Sequence, residues 1–570
     1  MEDSRVSPAA ADALPIVVGA THWQQLLSGK GRAALEAAIA AGLPQRRWFG
    51  SKTRAVRGAR IVDALEISPR ARLLLVDVRY DDGPAEVYQL PLALAEREQA
   101  AQVLADACWA AWARCGGEGA TPVSSCLLYD AVADVEFRAA LLAHLDNSAN
   151  IPGESGTLVA WQTPGFRTVR GVSSAVLPSR LSQAEQSNTS LVYGDRLIVK
   201  LLRRLDAGLN PDLELSRHLN ARGFSHTPPL AASIEYRAAG HEPWALAIVQ
   251  QFVPNQGDAW QYFLSRLSGE LASATARADG TAESALDAAT STDAAGLVTA
   301  AQRAIPAQVT AAFAASQADA TRLGQRTAEM HLALADPAGD PSFAPELQTL
   351  VDQQAFAVAA QTLVADTFGL LHRQASQLPA GLRALADEVL ARQLRAADQL
   401  QQFAAQLIEV QRIRVHGDYH LGQVLVAGDD FMIIDFEGEP ARPLAERRRK
   451  QVALRDVAGM IRSFHYASRT AATAAHFAAG QSAAASAADA ARDEINRRAA
   501  AWCYWTSVAF LAAYRQTAGS AIFLPRSDDA FARLLAACLL EKAVYELRYE
   551  LNNRPDWVYL PLTALAELLA

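Results

Sequence analysis

The sequence lacks the features that mark several common classes of protein. Its 53 Lys and Arg residues are outnumbered by 61 Asp and Glu residues, which gives a formal net charge of −8. A nucleic-acid partner usually requires a basic surface, so none is expected. The five cysteines are odd in number and have no metal-ligand spacing, which favours a reducing compartment with buried or incidental thiols.

Long hydrophobic runs are also lacking. The longest apolar stretch, 499–514, lies between Arg498 and Arg515 and is short for a membrane span, so it predicts a buried helix. The first residues, Met1 to Ser4, are acidic where a signal peptide would be basic. We therefore expect a soluble, cytoplasmic protein without a membrane partner.

A chain of 570 residues is too long for one ordinary core, and two or three domains are expected. Residues 1–100 read as a small α+β unit, residues 101–253 as an intermediate segment followed by a strand-rich lobe, and residues 254–570 as helical apart from one hairpin. Two Ala/Ser/Thr-rich tracts, 272–318 and 470–491, have few large apolar residues and predict surface insertions that are partly helical and partly flexible.

Local patterns add several expectations. We expect a helix from Glu96 to Cys115, and a polar linker at 147–156. The stretch from Leu191 to Leu202 reads as a hairpin around Gly194 and Asp195. Asn210 begins a helix as its N-cap, with Pro211 at the first helical position.

The most informative run is Val415-His416-Gly417-Asp418-Tyr419-His420-Leu421-Gly422-Gln423, followed by Ile433-Ile434-Asp435-Phe436-Glu437-Gly438-Glu439-Pro440. Asp418 follows a β-prone stretch, Gln423 comes five residues later, and Asp435 ends a second β-prone stretch seventeen residues after Asp418. Phosphoryl transfer needs such groups. Asp418 is the candidate for orienting an acceptor hydroxyl and taking its proton, and Gln423 and Asp435 are candidate Mg²⁺ ligands.

A second set of residues lies upstream. Lys200 on a strand and Glu214 on the next helix have the order expected of a lysine that contacts nucleotide phosphates and a glutamate that holds it. Ser187, Asn188, Thr189 and Ser190 precede that strand, and their backbone N–H groups are candidates for binding phosphate oxygens. Gln251 and Val253, in the extended segment 249–253, are candidates for contacting adenine by their position alone.

A face of one C-terminal helix suits a sugar acceptor. Lys542, Tyr545, Glu546 and Tyr549 follow a helical i, i+3, i+4, i+7 spacing and share one side. Aromatic rings and charged hydrogen-bonding groups together are the mix that pyranose recognition requires. Trp557 is a candidate for an additional stacking platform.

The motif from His416 to Gln423, with Asp435-Phe436-Glu437, resembles that of aminoglycoside-phosphotransferase-type kinases, which usually have Asn where this chain has Gln423. Gln at that position, with the tail to Pro440, is similar to maltokinases. Further matching segments cover nearly the whole chain: Arg47–Gly50, Asn210–Glu214, Arg455–Phe464, Glu541–Glu550 and Arg554–Trp557. The resemblance implies an α+β, bilobal protein-kinase-like fold with an N-terminal cap domain, a β-rich N-lobe and a helical C-lobe.

The same resemblance implies ATP and Mg²⁺ as cofactors and maltose as acceptor. Maltokinases form maltose 1-phosphate, which feeds α-glucan and glycogen synthesis, and they are often coupled to trehalose synthase, which is therefore a candidate partner. Two alternatives remain: a related kinase for glucosamine or another monosaccharide, or a catalytically inactive kinase-like module that scaffolds trehalose synthase. The intact set of catalytic-type residues argues against the inactive module.

Overall fold

The computed structural model describes residues 14–18, 21–116, 126–172, 175–182, 187–275, 293–440, 442–479 and 485–570. Contacts between residues divide the chain into two compact units. The N-terminal unit comprises residues 1–217 and 228–254, and the C-terminal unit comprises residues 218–227 and 255–570.

The N-terminal unit carries most of the strands. Its described strands are β1 (Ile16–Val18), β2 (Val56–Ser68), β3 (Ala71–Tyr80), β4 (Glu86–Ala95), β5 (Ala111–Gly116), β6 (Cys126–Asp130), β7 (Asn150–Pro152), β8 (Thr157–Gln162), β9 (Ser179–Leu181), β10 (Thr189–Tyr193), β11 (Leu197–Leu201), β12 (Arg204–Leu205), β13 (Leu230–Arg237) and β14 (Trp244–Gln251). Its described helices are α1 (Trp23–Leu26), α2 (Gly29–Gly42), α3 (Arg97–Asp106), α4 (Val135–Asp146), α5 (Phe166–Arg170) and α6 (Pro211–Ala221), whose last turn belongs to the C-terminal unit.

These strands form two sheets of seven strands each. The first has the order β1-β5-β6-β4-β3-β2, with β12 pairing β4, and the second has the order β7-β8-β13-β14-β11-β10-β9. Alternate side chains of β2, among them Ile61, Leu65 and Ile67, are buried, as expected for a strand that packs with one face on a core. One hydrophobic core contains side chains from both sheets, so the two sheets fold as one body.

Buried polar groups hold the two sheets together. The Arg203 guanidinium, 1% exposed, donates to Asp130 at 2.8 Å and to the Thr189 hydroxyl at 2.8 Å. The side-chain amide of Gln89 donates to the carbonyl oxygens of Leu202 and Leu246. Since unpaired polar groups are costly to bury, these bonds fix how the sheets meet.

Two local expectations for this unit were wrong. The helix expected from Glu96 to Cys115 ends at Asp106, and residues 111–116 form the strand β5 instead, because their side chains are buried on the sheet. The linker expected at 147–156 contains β7, and the Asp63 carboxylate accepts the backbone N–H groups of Glu154, Ser155 and Gly156. Those three hydrogen bonds order a stretch that its composition made look flexible.

The hairpin expected around Gly194 is confirmed, with β10 and β11 paired from Thr189 opposite Leu201 to Tyr193 opposite Leu197. The helix start at Asn210 is confirmed as well, since its side-chain oxygen accepts the Leu213 N–H at 3.1 Å.

The C-terminal unit is mostly helical. Its described helices are α7 (Ala259–Thr275), α8 (Ala294–Ala300), α9 (Ala307–Leu334), α10 (Leu350–Gln374), α11 (Ala380–Ala391), α12 (Gln393–Ala405), α13 (Leu444–Arg447), α14 (Leu454–Ala479), α15 (Ala485–Ala518), α16 (Asp528–Asn553) and α17 (Tyr559–Leu568). Its described strands are β15 (Glu346–Leu347), β16 (Gln411–Arg412), β17 (Val424–Ala427) and β18 (Asp430–Ile433), with β15 paired to β16 and β17 paired to β18.

The Ala-rich tracts differ from expectation where they are described. Residues 276–292 and 480–484 lie outside the described residues, but residues 307–318 begin α9 and bury Val309, Phe313 and Ser316. Residues 470–479 continue α14, with Ala471 and Ala472 buried. Both parts are helical, as expected, but each buries some of its side chains, because alanine and serine allow a helix face to pack closely.

The apolar stretch 499–514 lies inside α15, with Trp502, Phe510 and Tyr514 buried, which confirms the prediction of a buried helix. Among the described helices, one at Leu350–Gln377 is long and apolar enough, by length and composition alone, to cross a membrane. Core helices of soluble proteins meet the same criterion.

Replacement of Asp63 by Asn is expected to destabilise the N-terminal unit by about 2–4 kcal/mol at pH 7. The Asp63 carboxylate accepts three backbone N–H groups and the Tyr236 hydroxyl, and an uncharged amide is a weaker acceptor for them. Desolvation acts to raise the pKa of Asp63, but the hydrogen bonds from Tyr236 and the backbone prevail and lower it. A lowered folded-state pKa means that the stabilisation is complete above the unfolded pKa of about 3.9 and is lost as the pH falls below it.

The measurement is denaturant unfolding of both proteins between pH 7 and about pH 3, where the difference should shrink. The matched control is Asp77→Asn, since Asp77 lies on the neighbouring strand and pairs with the exposed Arg60 and Arg79. That change should cost less than about 1 kcal/mol. Equal costs for the two variants at pH 7 would contradict the structural role of Asp63.

Candidate active site

The loop that carries Asp418 is held by a buried carboxylate. Asp456, 2% exposed at the start of α14, accepts the backbone N–H groups of His416 at 2.8 Å and Gly417 at 3.0 Å. Desolvation opposes ionisation, but hydrogen bonds and nearby imidazoles, His331 foremost, keep the pKa of Asp456 below its usual value. Gly417 has φ +85, a conformation that favours glycine, and it turns the chain so that Asp418 follows directly.

His331 completes this buried network. Its Nε2 lies 3.0 Å from Asp456 and its Nδ1 lies 2.9 Å from the Tyr514 hydroxyl. An imidazole that donates from Nε2 and accepts at Nδ1 satisfies both neighbours. The contact with His331 therefore fixes the orientation in which the Asp456 carboxylate accepts the N–H groups of the loop.

Helix α14 also approaches the loop closely. A Cβ added at Gly459 would lie 2.5 Å from the Tyr419 carbonyl oxygen, so only glycine fits there. One turn later the Ser463 hydroxyl accepts the Leu421 N–H at 3.1 Å, and the buried Tyr419 hydroxyl pairs with Thr327 at 2.9 Å. The segment from His416 to Leu421 is thus fixed on several sides.

The hairpin β17–β18 brings Gln423 and Asp435 together. Val424 pairs with Ile433 across the hairpin, and the Ile434 N–H donates to the Gln423 carbonyl at 3.0 Å. The Gln423 side-chain nitrogen lies 3.0 Å from Oδ2 of Asp435. Asp435 has φ +67, which is uncommon for a residue with a side chain and is found at functional positions.

The donor set and its spacing fit a magnesium ion. Mg²⁺ takes oxygen ligands at about 2.0–2.1 Å in octahedral geometry, so neighbouring ligand atoms lie about 2.9 Å apart. The Gln423 amide nitrogen donates to the Asp435 carboxylate at 3.0 Å, so the two side chains reach the same small volume. Oxygen and nitrogen of an amide exchange places by a flip, so the amide oxygen can face an ion at the same position.

Lys542 and Tyr545 of α16 lie beside Asp418. The Lys542 ammonium is 3.4 Å from Oδ1 of Asp418, and Tyr545 donates its hydroxyl to Glu439. Desolvation opposes it, but the surrounding carboxylates, Asp418 foremost, raise the pKa of Lys542. A cation held against Asp418 orients that carboxylate and lowers the cost of its charge.

Asp418, Lys542 and Tyr545 line one cleft of about 30 Å³ in the C-terminal unit. Four carboxylates and three cations line it, together with glycine, cysteine and tyrosine residues: Asp418, Glu439, Asp456, Glu541, Arg442, Arg455, Lys542, Gly417, Gly459, Cys538, Tyr419 and Tyr545. Glu541 lies 3.3 Å from Arg442 and 2.9 Å from Arg455, so it holds two of the three cations.

The other two members of the helix face lie outside the lining of this cleft. Glu546 forms an ion pair with Arg462 at 2.8 Å, and that pair is largely buried. Tyr549 is 43% exposed and packs under Arg554, which also lies over Trp557. The structure therefore brings Lys542 and Tyr545 to Asp418 and places Glu546 and Tyr549 further along the helix.

In the N-terminal unit, Lys200 contacts an acid of α6. Its ammonium lies 3.2 Å from Oδ2 of Asp212, and both side chains are largely buried. Glu214, the expected partner, is also buried on α6, 6% exposed. The pairing of Lys200 with Glu214 stays a prediction. Asp212, which the sequence analysis assigned only to the start of the helix, is the acid that contacts Lys200.

The expected phosphate loop is described from Ser187 onward, while Gln186 lies outside the described residues. Ser187 is exposed and Asn188 half-buried, but Thr189 and Ser190 already belong to β10 and are buried. The Thr189 hydroxyl accepts from Arg203 and so has a structural partner.

The segment expected to contact adenine, 249–253, contains the last residues of β14 and the two residues after it. The Gln251 N–H donates to the Pro229 carbonyl at 2.9 Å, and Val253 follows, half-buried. The contacts of Gln251 and Val253 with a nucleotide stay predictions.

The sequence did not indicate several residues that the structure places in the site. Asp456, Glu439 and Glu541 lie in segments that the family resemblance includes, so the signal was present without an assigned role. His331 lies in a helix whose sequence gives no local motif, and only the fold brings it to Asp456.

Two parts of the chain match known protein families. Residues 43–134 match the maltokinase N-terminal cap domain, and residues 269–439 match the phosphotransferase enzyme family. The first match extends past residue 100 and includes the strands β5 and β6.

Two curated relatives are glucosamine kinases. That of Mycolicibacterium smegmatis is 26% identical over 413 residues, which cover 72% of this chain and 82% of the relative. That of Streptacidiphilus jiangxiensis is 27% identical over 390 residues, covering 68% of this chain and 72% of the relative.

Solved structures share the fold. A glucosamine kinase in complex with glucosamine, ADP and inorganic phosphate superposes with a TM-score of 0.56 at 21% identity, covering 94% of this chain and 99% of that one. A second crystal form gives a TM-score of 0.57 with the same coverage. The α+β kinase-like fold with a cap, a sheet-rich lobe and a helical lobe is thereby confirmed.

Fold and motif together define a phosphotransferase with a kinase-like architecture. More specifically, the chain is similar to the phosphotransferase enzyme family over residues 269–439 and to the maltokinase N-terminal cap domain over residues 43–134.

Replacement of Asp456 by Asn is expected to loosen the catalytic loop. An amide offers one acceptor oxygen where the carboxylate serves two backbone N–H groups and His331, so at least one donor loses its partner, at a cost of about 2–4 kcal/mol. Hydrogen–deuterium exchange of the peptide containing His416 and Gly417 should become at least about tenfold faster. Asp429→Asn, in the exposed turn of the nearby hairpin, is the matched control, and equal protection in both variants would contradict this role.

Proposed function

We propose that the chain transfers the terminal phosphoryl group of ATP to a hydroxyl group of a small sugar. The observation that carries this proposal is the position of Asp418 on a rigid loop, beside Lys542 and in the same cleft as Tyr545. A carboxylate held in this way suits a group that orients an acceptor hydroxyl and receives its proton.

The proposed roles follow from the contacts. Asp418 accepts the proton of the attacking hydroxyl, and Lys542 keeps the Asp418 carboxylate in position. Lys200 contacts the nucleotide phosphates and is oriented by acids of α6, Asp212 and Glu214. Backbone N–H groups of Ser187, Asn188, Thr189 and Ser190 bind phosphate oxygens, and Gln251 and Val253 contact the adenine.

Gln423 and Asp435 would hold the magnesium ion, since their side chains have the oxygen donors and the spacing that it requires. When bound, the ion neutralises charge on the transferred phosphate. The kinase family implies ATP as the nucleotide, and ADP is bound in one of the similar glucosamine kinase structures.

Two acceptors are candidates, and the similar proteins favour one of them. Both curated relatives are glucosamine kinases that match most of their own length, which makes glucosamine the first candidate. Maltose is the second, supported by the cap domain and by the motif with Gln423. On that alternative the product is maltose 1-phosphate for α-glucan and glycogen synthesis, with trehalose synthase as a candidate partner. In either case we propose a soluble, cytoplasmic enzyme.

The helix face from Lys542 to Tyr549 is proposed to bind the acceptor. Lys542 and Tyr545 line the cleft itself, so they are placed to meet the reacting sugar ring. Glu546 and Tyr549 lie further along, where a second ring of a disaccharide would need contacts.

A coupled assay of ADP release distinguishes the acceptors. Glucosamine, glucose, maltose, trehalose and an aminoglycoside are supplied in turn with ATP and Mg²⁺. We expect turnover with glucosamine at the highest kcat/KM, and a maltose preference would instead support the maltokinase alternative. Absence of sugar-dependent ADP release with every acceptor would contradict the proposed function.

Replacement of Asp418 by Asn should reduce kcat by at least about 10³-fold, because an amide cannot accept the hydroxyl proton. KM for ATP should change little, since Lys200 and Asp435 remain. Asp429→Asn in the exposed hairpin turn, with wild-type kcat expected, is the control for the substitution itself. Near-wild-type kcat in Asp418→Asn would remove Asp418 from the catalytic role.

A further inference from the structure

Glu439 is a carboxylate in the same cleft to which the proposed roles assign nothing. It follows Gly438, which has φ +70, in the turn after β18, and its side chain accepts the hydroxyl of Tyr545. Tyr545 lies one helical turn after Lys542, the cation that contacts Asp418. Glu439 therefore lines the same cleft as Asp418, together with Lys542 and Tyr545 of α16.

The charges of the cleft are unevenly distributed. Lys542 contacts Asp418 at 3.4 Å, while Arg442 and Arg455 contact Glu541 at 3.3 Å and 2.9 Å. Each cation of the cleft thus has a carboxylate partner other than Glu439.

Glu439 instead has a neutral hydroxyl as its recorded hydrogen-bond partner. Desolvation and the nearby charge of Asp418 raise the pKa of Glu439, while Lys542 and Arg442 act in the opposite direction. Two carboxylates that repel each other in a partly buried cleft lower the cost of binding a cation between them.

We infer that Glu439 binds the charged amino group of the acceptor and thereby selects an amino sugar over a neutral sugar. The inference rests on the proposed sugar kinase function and deepens it by naming a residue that sets the acceptor class. A cation at this place would pair with Glu439 and reduce its repulsion with Asp418, whereas a neutral sugar would leave that repulsion in place.

Tyr545 has a positioning role in this arrangement. Its hydroxyl donates to Glu439, so it fixes the direction of the carboxylate while its ring borders the cleft. Glu439→Gln keeps the size of the side chain and an oxygen that can accept from Tyr545, and it removes only the charge.

The experiment compares acceptors that differ in charge. Steady-state kinetics of wild type and Glu439→Gln are measured with glucosamine, glucose and maltose at about pH 6.5, where an amine of this type is protonated. Because a charge-assisted hydrogen bond is lost, KM for glucosamine should rise by about tenfold in the variant. KM for glucose and maltose should change by less than about twofold, since neither carries a charge.

Calorimetric binding provides a second readout that does not require turnover. Glucosamine and the neutral N-acetylglucosamine are titrated into wild type and Glu439→Gln, and the preference for glucosamine should be lost in the variant. Glu439→Asp, which keeps the charge, should retain the preference in both assays. Glu446→Gln, a change of the same kind in the nearby α13, should leave both readouts unchanged.

The outcomes separate the two proposals. If wild type phosphorylates sugars but Glu439→Gln keeps the wild-type preference for glucosamine, the role of Glu439 is wrong and the sugar kinase function stands. The role is also wrong if wild type binds glucosamine no better than glucose or N-acetylglucosamine. If wild type phosphorylates no sugar, the proposed function itself fails. Should Glu439→Gln not fold, the comparison of wild type with Tyr545→Phe decides. A carboxylate positioned by the Tyr545 hydroxyl predicts a weaker preference for glucosamine in Tyr545→Phe, and an unchanged preference would contradict the role.

Discussion

The buried Asp456 carboxylate is the interaction on which the active site depends. A loop that contains Gly417 at φ +85 leaves backbone N–H groups without partners in regular structure. Asp456 accepts two of them and is itself oriented by His331, so one charge in the protein interior fixes the start of the catalytic loop. Removing a buried charge of this kind leaves its donors unpaired, which is costly.

The rest of the C-terminal unit supports this contact. Helix α14 begins with Asp456, approaches the loop at Gly459 and holds Leu421 through Ser463. The same loop then enters the hairpin that places Gln423 3.0 Å from Asp435. A single helix therefore determines the positions of the proposed general base and, through the hairpin, of both proposed metal ligands.

Much of this could be predicted from the sequence, because the motif residues are local. Asp418, Gln423 and Asp435 lie within one loop and one hairpin, so spacing alone indicated their proximity. The position of Lys200 on a strand before a capped helix could also be predicted from local patterns. The structure adds Asp212 as the acid that contacts Lys200.

The parts that could not be predicted depend on contacts between distant segments. His331 and Asp456 are 125 residues apart, and Gln89 bonds to Leu246 across 157 residues. The Ala-rich start of α9 was expected only at the surface, but it also buries Val309, Phe313 and Ser316, because small side chains allow one helix face to pack closely. Which segments meet, and which side chains become buried there, depends on the fold and not on the local composition.

The cleft brings such distant segments together. Asp418, Glu439 and Lys542 come from the catalytic loop, the turn after β18 and α16, and their charges are coupled in one small volume. Lys542 contacts Asp418 and the two arginines contact Glu541, so Glu439 is the carboxylate that we propose for binding a charged acceptor. The sequence motif identifies the residues proposed to transfer the phosphoryl group, but the charges around them come from segments far apart in the chain, and their balance exists only in the folded protein.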